Sequence, residues 1–166
     1  MRKRISGVKL VGLALLLIVP EAAFPQNDSV FKRLHGSWSG EGKSMGMPAK
    51  LRLAWEWVLD EKFLRLSLKN EMKAPNGEVQ HFEGHAYYLP NEGRCEGTWF
   101  DSRGISFPIK CTADRQSLTA FWGSADQETG KSIYSFSADG KLEVVDFVQQ
   151  KDGSWKEFGR FLVSRD

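Results

Sequence analysis

The stretch that indicates the fold is Leu-His-Gly-Ser-Trp-Ser-Gly-Glu-Gly, residues 34–42. Successive side chains of a β-strand point to opposite faces, so Trp38 shares its face with Gly36, Gly40 and Gly42. Glycines let a strand bend and let other backbone come close, and a large indole ring fills the space that they leave. We therefore predict that this stretch is the first strand of a closed antiparallel barrel and that Trp38 seals one end.

The rest of the chain consists of short alternating runs separated by turn residues, which is typical of a β-sandwich or barrel. The ten predicted strands lie at 36–45, 49–59, 64–69, 79–89, 94–101, 105–112, 116–123, 131–137, 141–150 and 154–164. A meander with only short links closes most simply as an up-and-down barrel, which leaves no exposed strand edge. The predicted fold class is all-β: a single ten-stranded antiparallel up-and-down barrel with a short N-terminal helix.

Two details of this fold can be predicted locally. The helix is expected within 27–35, with Val30, Phe31 and Leu34 on one side, as a lid over one barrel end. In the hairpin around 60–63, the apolar faces match if residue 59 pairs with 64, 57 with 66 and 55 with 68.

The predicted register of a second hairpin indicates whether the two cysteines lie opposite each other. Ser102-Arg103-Gly104 predicts a three-residue loop that pairs 101 with 105, and this register places Cys95 opposite Cys111. An oxidising compartment permits a disulfide. The pair could also be redox-active or two buried thiols, but there is no C-x-x-C motif, so we favour a structural bridge that closes the hairpin.

The first 25 residues have the layout of a secretory signal. A basic start, from Arg2 to Lys9, precedes an apolar run at 10–19 that ends at Pro20. The run is shorter than the about 20 apolar residues that a membrane span needs. We predict that 1–25 is a signal peptide, that 26–166 is one β-barrel domain, and that the protein is secreted, or periplasmic in a Gram-negative bacterium. An uncleaved anchor is the alternative, because no clean cleavage site follows the run.

The charge of the predicted domain argues against polyanionic partners. The leader holds four of the 23 basic residues and one of the 21 acidic residues, which leaves 19 basic and 20 acidic side chains in 26–166. A near-neutral domain without a Lys/Arg run has no electrostatic footprint for nucleic acid or for an anionic membrane. A small apolar molecule is the partner that we expect, and no membrane contact beyond the signal segment.

Three stretches carry a resemblance to a known family. Gly36-Ser37-Trp38-Ser39-Gly40-Glu41-Gly42 resembles the G-x-W-x-G-x-G start of the nitrobindin-like β-barrels, which belong to the calycin group with lipocalins and fatty-acid-binding proteins. Residues 55–65 and 158–165 are similar to the second hairpin and the closing strand of secreted bacterial domains of unknown function in that group. The resemblance covers most of 34–165 and implies a ten-stranded barrel with an interior cavity.

The resemblance does not extend to the haem site of nitrobindins. Those proteins hold haem through a histidine close to the C-terminus, whereas no histidine follows His85 in this sequence. We therefore do not transfer haem binding, and we predict no cofactor.

Aromatic side chains dominate the faces that we predict to point inward. They could line a pocket for an apolar or ring-bearing ligand, or they could simply fill the barrel. Ten strands favour a cavity, while the number of rings favours a filled interior. The candidate ligand-binding residues are Trp38, Trp55, Trp57, Phe82, Tyr88, Trp99, Phe107, Trp122 and Tyr134.

His81-Phe82-Glu83-Gly84-His85 is the one cluster with the residue types of a metal or catalytic site. On a strand, His81 and His85 share a face but are about 13 Å apart at 3.3 Å per residue, too far for one metal ion. We predict a solvated outer face, no metal and no catalytic residue. The alternatives to a binding protein are an enzyme that uses His81 or His85 as acid or base, and a structural or partner-binding barrel with a filled core.

Overall fold

The computed structural model describes residues 29–124 and 126–166, and the predicted signal peptide at 1–25 lies outside them. One short helix precedes ten strands in the described chain, as predicted. The elements are α1 (Val30–Leu34), β1 (Gly36–Ser44), β2 (Met47–Val58), β3 (Phe63–Lys73), β4 (Val79–Asn91), β5 (Arg94–Asp101), β6 (Ser106–Ala113), β7 (Ser117–Gly123), β8 (Thr129–Phe136), β9 (Leu142–Gln149) and β10 (Trp155–Arg165).

The ten strands form one closed antiparallel barrel. Each strand pairs with its neighbours along the chain, and β1 pairs with β10 from Trp38–Arg165 to Ser44–Gly159. This ladder is the seam of the barrel, and it removes the two free edges that an open sheet would expose. The predicted up-and-down barrel is therefore confirmed.

Trp38 and α1 close one end of the barrel. The Trp38 ring is 1% exposed, and its Nε1–H donates a hydrogen bond of 2.8 Å to the Leu34 carbonyl oxygen. The ring meets Phe136 edge-on at 5.6 Å, and the Arg165 guanidinium lies 4.4 Å from the ring centre. The buried side of α1 consists of the three predicted residues, Val30, Phe31 and Leu34.

The β5–β6 hairpin has the predicted register. Cys95 pairs with Cys111 across the two strands, the Cα atoms are 4.9 Å apart, and the two residues form a disulfide. At the turn, the Asp101 N–H donates to the Ile105 carbonyl, and Gly104 has φ +77°, a conformation that glycine adopts at little cost.

The predicted register of the β2–β3 hairpin is wrong by two residues. Trp57 pairs with Leu64, not with Leu66, because the loop spans 59–62 and Val58 pairs with Phe63. The Lys62 N–H donates to the Leu59 carbonyl, and residues 59–61 have positive φ, which closes the turn one residue earlier than expected. A shift of two residues keeps every side chain on its face, so the predicted inward set is unchanged.

The five links that start after β1, β3, β5, β7 and β9 lie at the other end of the barrel, which we call the mouth. At the mouth, β10 contains an irregularity between Glu157 and Gly159 that shifts its pairing with β9. None of the helical residues in 29–124 and 126–166 forms a segment with the length and hydropathy of a membrane span.

Candidate functional site

A cavity of about 1090 Å³ occupies the barrel interior and opens at the mouth. This volume is slightly above the range of about 300–1,000 Å³ for small-molecule pockets. Its walls are mostly apolar and come from nearly every strand, with polar groups at a few positions. The barrel is therefore not filled by its own side chains.

Six of the nine predicted ligand-binding residues line this cavity: Phe82, Tyr88, Trp99, Phe107, Trp122 and Tyr134. The other three, Trp38, Trp55 and Trp57, are not among the lining residues. They lie at the start of β1 and the end of β2, where they pack into the closed end of the barrel. Alternation predicts that a side chain points inward, but it does not indicate at which depth the barrel is hollow.

Two of the tryptophans leave the cavity open because each lies flat against a glycine. A Cβ atom at Gly84 would overlap the Trp99 ring, and one at Gly130 would overlap the Trp122 ring. Each glycine thus lets an indole lie along the wall. The space beside Gly84 is therefore filled by Trp99 and not left for a ligand.

An aromatic cluster forms the floor of the cavity. Trp55 lies 5.5 Å from the ring of Tyr88 and 5.2 Å from that of Tyr134, measured between centroids. Burial raises the pKa of both tyrosines above the ordinary value, and a hydrogen bond between the two hydroxyls partly offsets the rise at Tyr88. Both phenols are therefore neutral at physiological pH and can donate or accept a hydrogen bond.

Asp146 of β9 brings a carboxylate to the cavity wall. The Ser132 hydroxyl donates a hydrogen bond of 2.6 Å to its Oδ1, and Trp122 Nε1–H donates to the same hydroxyl at 3.3 Å. On the other side, a Cβ atom at Gly159 would lie only 2.9 Å from Oδ2. Glycine at this position of β10 therefore makes space for the carboxylate.

The surroundings of Asp146 disfavour its charge. Burial raises the pKa of the carboxyl from 3.8 to about 6, and the Ser132 hydrogen bond opposes this rise only in part. The negative charge of Asp146 also contributes to the raised pKa of Tyr88 and Tyr134. At neutral pH the side chain is still mostly ionised, so the cavity contains a poorly compensated anion.

Asn70 of β3 is the second polar group of interest in the wall. The residue is 8% exposed, lines the cavity, and its Oδ1 accepts no hydrogen bond. In the strand order of the barrel, β3 is four strands from β9, so Asn70 and Asp146 face the interior from different sides. A buried amide oxygen without a donor is unfavourable by about 1–3 kcal/mol, which a bound donor would remove.

Ser132, Asn70 and Asp146 were not identified from the sequence. All three occupy inward positions of strands whose other inward residues are apolar, such as Leu142 and Val144 beside Asp146. A polar residue in the apolar register was the signal that could have identified them.

Charged side chains surround the mouth in paired form. Arg103, in the β5–β6 link, bonds to Asp101 and to Glu128 of the β7–β8 link, and its guanidinium is 5.8 Å from the Phe82 ring centre. Burial would raise the pKa of Asp101, but hydrogen bonds from Arg103 and Trp99 outweigh it and lower the pKa. These contacts connect two loops across the cavity entrance.

The histidine cluster lies outside the barrel, as predicted. His81 and His85 are exposed on β4, and His85 Nδ1 is 3.1 Å from the Ser67 hydroxyl. Within 29–124 and 126–166, there is no group of three or more histidine, cysteine or acidic side chains arranged to hold a metal ion. Neither histidine reaches the cavity.

No protein-family model matches the chain, and a comparison with curated proteins gives no match either. The resemblance to nitrobindin-like barrels therefore stays a prediction based on its motifs.

Asp146→Asn is expected to change how stability depends on pH. Between about pH 4 and pH 6, the folded carboxyl keeps a proton that the unfolded chain has released, so wild-type stability falls as the pH rises through this window. The fall is on the order of 3 kcal/mol, the free energy that corresponds to the pKa shift. The neutral amide avoids it, so urea unfolding should show a growing stability advantage of the variant from pH 4 to pH 7.5.

Asp139→Asn provides the control for this experiment. The Ser137 and Lys141 side chains lower the pKa of the exposed Asp139 to about 2, so its contribution is lost only as the pH falls below about 4. This variant should keep the wild-type slope between pH 4 and pH 6. An equal slope in wild type and Asp146→Asn would contradict the raised pKa.

Proposed function

We propose that this protein is a secreted β-barrel that binds a small hydrophobic or aromatic ligand in its interior. The observation that supports the proposal is the cavity of about 1090 Å³, open at the mouth and walled by aromatic side chains. Secretion is supported by the basic and apolar leader and is compatible with the Cys95–Cys111 disulfide.

Burial of apolar ligand surface would provide the binding energy. Each Å² removed from water contributes about 25 cal/mol before the costs of immobilising the ligand. Trp99 and Trp122 line the cavity and present aromatic surface to a planar ring. The cavity is preformed, so little ordering of the protein accompanies binding.

The alternatives receive less support from the geometry. An enzyme that uses His81 or His85 would need a histidine at the cavity, whereas both lie on the outer face. A barrel with a filled core would not contain an open cavity of this volume. We therefore favour binding over catalysis and over a purely structural role.

Leu68→Trp is expected to weaken binding of a neutral aromatic fluorophore, N-phenyl-1-naphthylamine, by about tenfold or more. Leu68 lines the cavity, and the larger indole would occupy the volume that a ligand needs and would oppose its entry. Titration of the purified domain, read by fluorophore emission, should give saturable binding at one site in wild type.

Leu162→Trp is the matched control. It makes the same exchange on the outer face of β10, where Leu162 is 49% exposed. This variant should bind the fluorophore as wild type does. The proposal would be refuted if wild type gave no saturable binding, or if Leu68→Trp bound as tightly as Leu162→Trp while remaining folded.

A further inference from the structure

The polar groups of the cavity wall differ in whether they have hydrogen-bond partners. The Tyr88 hydroxyl bonds to that of Tyr134, and Tyr134 also bonds to Ser132, which in turn bonds to Trp122 and Asp146. Two oxygen atoms remain: Oδ1 of Asn70 has no partner, and the hydrogen bond given to Asp146 reaches its Oδ1 and not its Oδ2. Both are acceptors that line the cavity, whereas the buried Nε1 of Trp55, a donor without a partner, belongs to a residue that packs against the tyrosines and is not among the lining residues.

The carboxylate also lacks a positive partner. Among the described residues, no lysine, arginine or histidine forms an ion pair with Asp146, and Ser132 is its one side-chain donor. Four cationic side chains of the described part of the chain line the cavity. Arg103 pairs with Asp101 and Glu128, Arg160 pairs with Glu143 and Glu157, and neither Lys43 nor Lys156 forms an ion pair with Asp146. An ionised carboxylate in an apolar wall is costly unless a cation accompanies it.

We propose that the ligand is an aromatic molecule with a protonated amine, and that Asp146 binds its ammonium group. This inference rests on the proposed function and adds the chemical class of the ligand. The apolar walls accept the ring system. The ammonium supplies donors to Asp146 Oδ2, and its charge compensates the carboxylate. In a ligand that spans the cavity, a second donor group would reach the Asn70 oxygen.

The residues around Asp146 hold its carboxylate in a defined position. Ser132 fixes Oδ1, and Trp122, which stacks at 5.7 Å on Phe107, in turn donates to Ser132. Gly159, next to the irregularity in β10, lets the carboxylate lie close to that strand, and Asp146 lines the cavity. The carboxylate is therefore held through one oxygen at the cavity wall, next to aromatic side chains that would pack on the ring of the same ligand.

Isothermal titration calorimetry at pH 7.5 with three indoles of similar size tests the inference. Tryptamine carries an ammonium group, tryptophol a neutral hydroxyl, and indole-3-propionate a carboxylate. Wild type should bind tryptamine at least about tenfold more tightly than tryptophol, since a hydrogen bond to a charged group contributes about that much, and should bind indole-3-propionate most weakly. Asp146→Asn should reduce the preference for tryptamine to less than about threefold.

Glu143→Gln is the control for the effect of net charge on the binding of a cationic ligand. It removes one negative charge from the same strand, but Glu143 lies on the outer face in contact with Arg160. It should keep the wild-type preference. Equal binding of tryptamine and tryptophol by wild type, or an unchanged preference in Asp146→Asn, would overturn the inference. Saturable binding of the neutral fluorophore in that case would leave the proposed function standing, whereas its absence would remove both.

Discussion

Replacing Trp38 with alanine should lower the free energy of unfolding by about 3–5 kcal/mol, the usual range for removing a buried large aromatic ring. The ring is 1% exposed, contacts Phe136 and Arg165, and donates to the Leu34 carbonyl. The substitution would leave a void beneath α1 and an unpaired carbonyl oxygen. Urea unfolding followed by circular dichroism gives the value.

Phe100→Ala is the control for this substitution. Phe100 is an aromatic residue of β5 that is 48% exposed, so its truncation should change stability by no more than about 1 kcal/mol. A Trp38→Ala variant as stable as Phe100→Ala would mean that Trp38 does not close the barrel in the way described above.

The double substitution Cys95→Ala/Cys111→Ala should cost about 3 kcal/mol of stability. The two cysteines are separated by 16 positions, and a cross-link over a loop of about that length stabilises mainly by restricting the unfolded chain. Equilibrium unfolding in urea, under non-reducing conditions, compares the variant with wild type.

Reduction of the wild-type protein distinguishes the stability lost with the cross-link from the stability lost when two buried side chains are made smaller. Treatment of the wild-type protein with dithiothreitol should reproduce most of the loss, while the variant itself should be insensitive to the reductant. A wild-type protein whose unfolding midpoint does not move on complete reduction would contradict the expected contribution.

The barrel could be predicted from sequence because alternation and turn chemistry act over a few residues. The Ser102-Arg103-Gly104 loop determines its hairpin register locally, and the pairing of Cys95 with Cys111 follows from it. The loop at 59–62 escaped prediction because it uses non-glycine residues at positive φ, which no glycine or proline marks. The predicted inward faces were still correct, because a register shift by an even number of residues does not change the face on which a side chain lies.

The site was predicted only in part, because alternation sorts apolar residues inward and polar residues outward. It identified the aromatic walls but not Asn70 and Ser132, and it did not single out Asp146, which breaks the rule on strands that otherwise follow it. The depth of the cavity depends on how Trp99 and Trp122 lie against Gly84 and Gly130. That arrangement involves pairs of strands, so it is not visible within one strand.

The seam between β1 and β10 has a consequence for biosynthesis. Ser39 and Asp166, which hydrogen-bond across it, are 127 positions apart, so this ladder is the most non-local of the barrel. In a chain that emerges from its N-terminus, whether from the ribosome or from an export channel, β1 cannot meet its second partner until β10 has emerged, so its edge stays open during most of that passage. Closure of the barrel is therefore the last step that the topology allows.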